Sequence, residues 1–222
     1  MNLCLFDLDH TLLPLDSDHE FGEFLIRIGL ADPVSYRSRN DGFYRQYVEG
    51  TLKLSEYIEF TTSIWRQLTP VEQQALQARF MDEVIVPAIQ PQAVSLVRQH
   101  ESQGDLVAIV TATNEFVTRP IAQAFGVPEL LAVRLVRDSM GRVTGEIDGV
   151  PSFREGKITR VEQWLAERQL KLGDFQRVSF YSDSPNDLPL LELASDPVAT
   201  NPSPALEAIA TDRGWRILRL FA

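Results

Sequence analysis

Three apolar runs in this chain each stop at a carboxylate or a hydroxyl. Asn2 to Phe6 ends at Asp7, Leu106 to Val110 ends at Thr111, and Val178 to Tyr181 ends at Ser182 and Asp183. Short apolar runs bounded by polar groups read as buried strands. Pro197 to Ala199 and Trp215 to Leu220 read the same way. Between them the pattern is helical over roughly Gln92–Gln103, Glu115–Phe125, Gly156–Gln169 and Pro204–Arg213. Strands alternating with helices specify a parallel α/β sheet. In such sheets ligands bind beyond the carboxyl ends of the strands. Asp7, Thr111 and Asp183 are thus expected at one crevice, although they are far apart in the chain.

The spacing of the first two strands is anomalous. A βαβ unit takes about 30 residues, yet Asp7 and Thr111 are about a hundred apart. The surplus shows no good strand. It predicts helices around Glu20–Ile28, Val34–Val48, Ser55–Gln67 and Thr69–Met81. The last carries a capping box, with Thr69 as N-cap, Pro70 at the first helical position and Glu72 at the third. The expected architecture is a Rossmann-like parallel sheet core, residues 1–15 and 87–222, with an inserted all-helical cap, residues 16–86. Turn signals at Asp138–Gly141 and Gly145 predict a strand and a small hairpin within Val133–Ile147.

Four groups at the strand ends carry the chemistry. Asp7-Leu8-Asp9-His10-Thr11 sets two carboxylates just past a buried strand, where they can bind a hard cation. Thr111-Ala112-Thr113 offers a hydroxyl and backbone N–H groups suited to phosphate oxygens. Lys157 stands near the start of a helix. Ser182-Asp183-Ser184-Pro185-Asn186-Asp187 adds two more carboxylates at a helix start. If these groups converge, Mg²⁺, Lys157 and one protonated carboxyl, Asp9, bring the site to neutrality, and a phosphate dianion can enter. Clustered carboxylates also raise one pKa, which favours a protonated general acid.

In its DxDxT, its hydroxyl after an apolar strand, its lone Lys and its DxxND, in that order, the chain resembles the haloacid dehalogenase superfamily. The helical insert after DxDxT, SDSPNDLPLL, ATNPSPAL and the final GW strand resemble its phosphoserine-phosphatase-like branch. The resemblance implies a phosphoric monoester hydrolase acting on a small phosphorylated metabolite. Asp7 is then the nucleophile that forms an aspartyl-phosphate, and Asp9 the general acid and base. Mg²⁺ is held by the Asp7 and Asp183 carboxylates and the Asp9 backbone carbonyl. Thr111 and Ala112 hold phosphate oxygens, Asn186 contributes to the phosphate or metal shell, Lys157 neutralises charge, and Asp187 orients Lys157 or the metal's waters.

Asp16 occupies the family position, nine after the nucleophile, that meets a substrate amine. It also reads as a helix N-terminal residue that stabilises the dipole. The family's Phe and carboxylate-binding Arg, counted from Gly50, correspond here to Leu54 and Thr61. That disfavours phosphoserine unless Arg66 substitutes, and leaves a use for an amino-alcohol phosphate such as histidinol phosphate. Thr113 and Asn114 read first as helix caps. His10, His19 and His100 read as exposed or satisfied histidines.

A formal net charge of −10 across 222 residues, with 21 scattered Lys and Arg, argues against nucleic acid and anionic membrane as partners. No protein partner is inferred. Cys4 is the single cysteine, so no internal disulfide forms. No long apolar span or basic leader pattern is evident, and the expected location is cytoplasmic. Two other readings compete: a phosphotransferase or mutase on the same fold, and a receiver domain whose Asp7 only accepts phosphate.

Overall fold

A computed structural model describes residues 1–221. The elements run β1 (Leu3–Phe6), α1 (Ser17–Arg27), α2 (Ser35–Val48), α3 (Leu54–Thr62), α4 (Pro70–Phe80), α5 (Val86–Ala88), α6 (Pro91–Ser102) and β2 (Leu106–Asn114). They continue with α7 (Glu115–Ala124), β3 (Leu130–Val133), β4 (Leu135–Arg137), β5 (Val143–Ile147), α8 (Glu155–Ala166) and β6 (Val178–Ser182). The chain closes with α9 (Leu188–Leu193), β7 (Asp196–Thr200), α10 (Pro204–Asp212) and β8 (Arg216–Leu218).

Six strands form one parallel sheet in the order β3-β2-β1-β6-β7-β8. β1 lies between β2 and β6, with Phe6 opposite Ile109 on one side and Tyr181 on the other. That register brings Asp7, Thr111 and the Ser182–Asp183 pair to the same edge. All four residues of β1 are fully buried. Cys4 and Phe6 enter one core layer, Leu3 and Leu5 the other. A strand covered on both faces reads as a continuous apolar run, which is why β1 shows no alternation.

Between β1 and β2 every regular element is helical. Phe21 and Phe24 of α1 pack on Phe80, and Trp65 stacks on Phe116 of α7 at 3.9 Å between centroids. The capping box at Thr69 and Glu72 forms as expected. The expected helix Ser55–Gln67 is broken: α3 stops at Thr62, and a 3₁₀ turn covers Trp65–Gln67. The hydroxyls of Thr62 and Ser63 donate back to the carbonyls of Ile58 and Phe60, at 2.7 and 2.6 Å, and so compete with helix continuation. α4 continues through a π turn, Met81–Ile85, into α5.

β2 runs past its apolar stretch to Asn114, which lies opposite Val133 of β3. The sheet strand expected within Val133–Ile147 lies just upstream, as β3. The hairpin is β4 with β5. Pro120 inside α7 has no N–H for the Phe116 carbonyl. That carbonyl is taken instead by the Gln77 side chain of α4, which fastens the helical segment to the sheet layer. No helix among the described residues is long and apolar enough to cross a membrane.

Candidate active site

The sheet ends in a concentration of carboxylates. Asp7, 4% exposed, follows β1, and its N–H is held by the Tyr181 carbonyl at 2.9 Å. Lys157 enters from the first turn of α8 and is 1% exposed. Its Nζ donates to Asp7 Oδ1 at 2.7 Å and to Asp187 Oδ2 at 2.8 Å. Ser182 Oγ donates to the same Asp187 oxygen at 2.7 Å. The DxxND segment and the lone lysine thus meet at the DxDxT segment.

The electrostatics follow from burial. Burial pushes Asp7 up to about 7, although the Lys157 charge opposes it, and Asp187 and Asp9 add to the rise. Burial would by itself depress Lys157. The two carboxylates it touches outweigh that and hold it above its ordinary value. Asp183 is raised well above its usual range by burial and then by the charges of Asp7 and Asp187. Its only side-chain donor among the described residues is Thr11 Oγ1 at 3.4 Å, a long contact.

Asp9 faces the other way. Its two oxygens accept from Ser17 N and Thr113 Oγ1, both at 2.8 Å. Burial first, and Asp16 second, push it up to about 6. Thr113 therefore orients a carboxylate rather than capping a helix. The N-cap of α7 is Asn114, whose side chain accepts from Phe116 N and Val117 N. Thr111 Oγ1 accepts from Thr113 N at 3.1 Å, which leaves its own proton to donate. Thr111 and Ala112 line the cavity together with Asp7 and Asp9.

That cavity lies between the strand ends and the helical segment. Its other wall comes from the helical segment: Asp16, Asp18, Phe43, Tyr44, Tyr47, Leu52, Leu54 and Tyr57. Among the described residues its lining carries no arginine or lysine. Leu54 lies in the wall, and Thr61 is buried against the Ile58 carbonyl. Arg66 is engaged elsewhere, by Glu59 and the Thr144 carbonyl. Asp16 is the N-cap of α1, its Oδ1 accepting from Asp18 N and His19 N, and it also lines the cavity. Asn186 does not line it. Its side-chain N–H donates to the Tyr47 carbonyl at 3.0 Å, and the Arg154 side chain donates to the Gly50 carbonyl. These two bonds clamp the end of α2 to the sheet layer.

Two buried carboxylates of raised pKa, Asp7 and Asp183, with Lys157 bonded to Asp7 and Asp187, form a donor set that fits a hard divalent cation. A second cluster of ligand-type side chains, His19, Glu23 and Asp41, lies across α1 and α2. Glu23 is already held by Arg37, and Asp41 by His19. His10 meets the Tyr44 hydroxyl at 3.3 Å, and His100 is satisfied by Asp105 and Tyr181.

Comparison with known proteins agrees with this geometry. The family profile of haloacid dehalogenase-like hydrolases matches residues 4–192. A histidinol-phosphatase of Neisseria meningitidis is 42% identical over 217 residues, 98% of each chain. A crystal structure of a Bordetella pertussis protein of unknown function superposes with a TM-score of 0.93, at 52% identity over 99% of both chains. A substrate-bound phosphoserine phosphatase has the same fold, with a TM-score of 0.68 at 18% identity, covering 97% of this chain and 91% of that one.

Proposed function

This chain belongs to the haloacid dehalogenase-like hydrolases, and on that premise we propose that it hydrolyses histidinol phosphate through an aspartyl-phosphate on Asp7, with Mg²⁺ as cofactor. It is a phosphoric monoester hydrolase of the phosphoserine-phosphatase-like branch. One observation carries the choice of substrate. The cavity wall is acidic and aromatic and, among the described residues, has no cationic side chain, so an amine is welcome there and a substrate carboxylate meets no partner. Phosphoserine carries that carboxylate; histidinol phosphate does not. The 42% identity with a histidinol-phosphatase supports the same reading.

In this reading Asp7 attacks phosphorus, the ester P–O bond breaks, and Asp9 gives its proton to the leaving oxygen. Water then attacks the phosphorus of the aspartyl-phosphate, Asp9 takes the water's proton, and the Asp7 carboxylate is released. A group poised near 6 can serve in both directions near neutral pH. Thr111 and the backbone N–H of Ala112 hold phosphate oxygens. Lys157 neutralises Asp7 and the transferring phosphoryl group, and Asp187 fixes Lys157. Asp7, Asp183 and the Asp9 carbonyl would hold Mg²⁺, which when bound supplies positive charge to the phosphoryl oxygens. Residues 16–86 act as a cap over a core of 1–15 and 87–222. Asn186 serves that cap through its bond to Tyr47, besides any contact with phosphate. Placement and charge supply most of the rate in such a transfer.

The test is kcat/KM on histidinol phosphate and on L-phosphoserine, with Mg²⁺ and with excess chelator. The expected preference for histidinol phosphate is at least about 100-fold, because an unpaired buried carboxylate is strongly rejected. Chelation should abolish both activities. Equal or better use of phosphoserine would overturn the substrate assignment.

Chelated protein should also show a pH signature. Asp7 and Asp9 have raised folded pKa values, about 7 and about 6 against 3.8 unfolded. Between those limits the native state binds more protons than the unfolded state. Their contribution to stability is therefore present below about pH 4 and lost as pH rises through 6 to 7. Adding Mg²⁺ should raise the melting temperature much more at pH 8 than at pH 5. An increment independent of pH would argue against these carboxylates as the cation's partners.

A further inference from the structure

The cavity holds a carboxylate that the reaction does not use. Asp18, in the first turn of α1, lines the cavity and is 3% exposed. Its Oδ1 receives Asn114 Nδ2 at 3.4 Å, and its Oδ2 has no hydrogen-bond partner among the described residues. A buried polar atom without a partner costs stability. Service to the helix dipole does not require that burial. Asp16 already caps two N–H groups of α1, and Glu20 adds charge to the same turn.

Tyr47 and Tyr57 both line the cavity. The charges that raise the Tyr47 hydroxyl, after burial, are those of Asp7, Asp187, Asp183 and Asp16. For Tyr57 they are Asp18 first and Asp16 second. The Tyr47 carbonyl accepts from Asn186 of the DxxND segment, and Tyr57 shares the cavity lining with Asp18 and Asp16. Asp18 is itself raised well above the usual carboxylate range by burial, then by Asp16 and Asp9.

We infer that Asp18 is a specificity-determining residue whose free oxygen accepts an N–H from a nitrogen heterocycle at the distal end of the leaving alcohol. This rests on the reading of the substrate as histidinol phosphate. That alcohol carries an amine beside the ester-bearing carbon and an imidazole on a methylene arm beyond it. The amine falls to Asp16, next to Asp9, and the imidazole to Asp18 and Tyr57. Imidazole presents an N–H in both protonation states and becomes a cation just below neutrality, so it suits a buried carboxylate that lacks a donor.

The experiment compares kcat/KM on histidinol phosphate and on 2-aminopropyl phosphate, which keeps the amine and lacks the ring. Asp18→Asn should lower the ratio between these esters at least tenfold, through KM. Its melting temperature should stay at or above the native value, because the amide keeps the shape of the side chain and its contact with Asn114. Tyr57→Phe should lower the ratio in the same direction by a smaller factor. A wild-type ratio retained in Asp18→Asn overturns the inference. So does an equal loss on both esters with a lower melting temperature, the mark of a structural residue. A wild-type enzyme that prefers both amine esters to phosphoserine, without preference between them, overturns this inference and leaves an amino-alcohol phosphatase standing. A wild-type preference for phosphoserine overturns that broader reading itself.

Discussion

Asp7→Asn should lose at least about 10³-fold in kcat, the order expected when a nucleophile is removed and binding and charge stabilisation remain. The amide is nearly isosteric with the carboxylate, so packing at the end of β1 is retained. Its oxygen can still accept from Lys157, which donates to Asp7 Oδ1 in the native protein. On the proposed mechanism, what disappears is the charge and the electron pair that attack phosphorus. The substitution also removes a group that burial pushes up to about 7. The melting temperature should therefore shift by only a few degrees while turnover collapses. Circular dichroism, melting and steady-state kinetics on one freshly purified sample separate the two effects. Residual turnover within tenfold of the native enzyme would show that another group attacks.

Lys157→Met should damage both stability and turnover. Lys157 is the cation that touches the buried pair Asp7 and Asp187. Removing one partner of a buried ion pair costs about 3–5 kcal/mol, because the other charge is left uncompensated. In a chain of this length that corresponds to a fall in melting temperature on the order of 10 °C. The loss should depend on pH with a definite sign. Lys157 opposes the rise of Asp7, so without the lysine Asp7 takes up a proton more readily, and at low pH, where it is neutral, the deficit shrinks. As pH rises and Asp7 ionises, the deficit grows. Melting curves from pH 5 to 8 read this directly, and kcat falls at every pH because the phosphoryl group has lost its cation. A stability loss that does not change with pH would place the cost in packing rather than in charge.

The sheet edge was legible because its signals are local. Each of β1, β2 and β6 contains an apolar run followed by a polar residue of the candidate site, and parallel α/β topology puts such ends together. Lys157 and Asp187 stand in the order that the family motifs imply, and Lys157 donates to both Asp7 and Asp187. The helical segment was legible as helix, through its lack of strands and the Thr69 capping box.

Its cavity-facing surface was not. Tyr44 and Tyr47 lie three apart on α2 and share a face, but only packing decides whether that face meets a cavity or a neighbour. Asp18 illustrates the same limit. An acidic residue in the first turn of a helix reads as a partner of the dipole. Its burial arises only when α1 packs against β2 and α7, far along the chain. Thr113 was read as a cap because hydroxyls favour helix starts. The extension of β2 to Asn114 moved the cap one residue on and turned the Thr113 hydroxyl to Asp9. β3 is only four residues long and a single residue, Arg134, separates it from β4, so it merges with the hairpin that follows.

The identity of the attacking group can be read in one measurement. Native enzyme mixed with histidinol phosphate and Mg²⁺ is quenched in acid during turnover, reduced with borohydride, and mapped by peptide mass spectrometry. An acyl-phosphate on a carboxylate is reduced to the corresponding alcohol, which marks the residue. The account predicts that the mark falls on Asp7 and is missing in Asp7→Asn treated in the same way. A mark on Asp9, Asp183 or Asp187, or the same mark in Asp7→Asn, would contradict it.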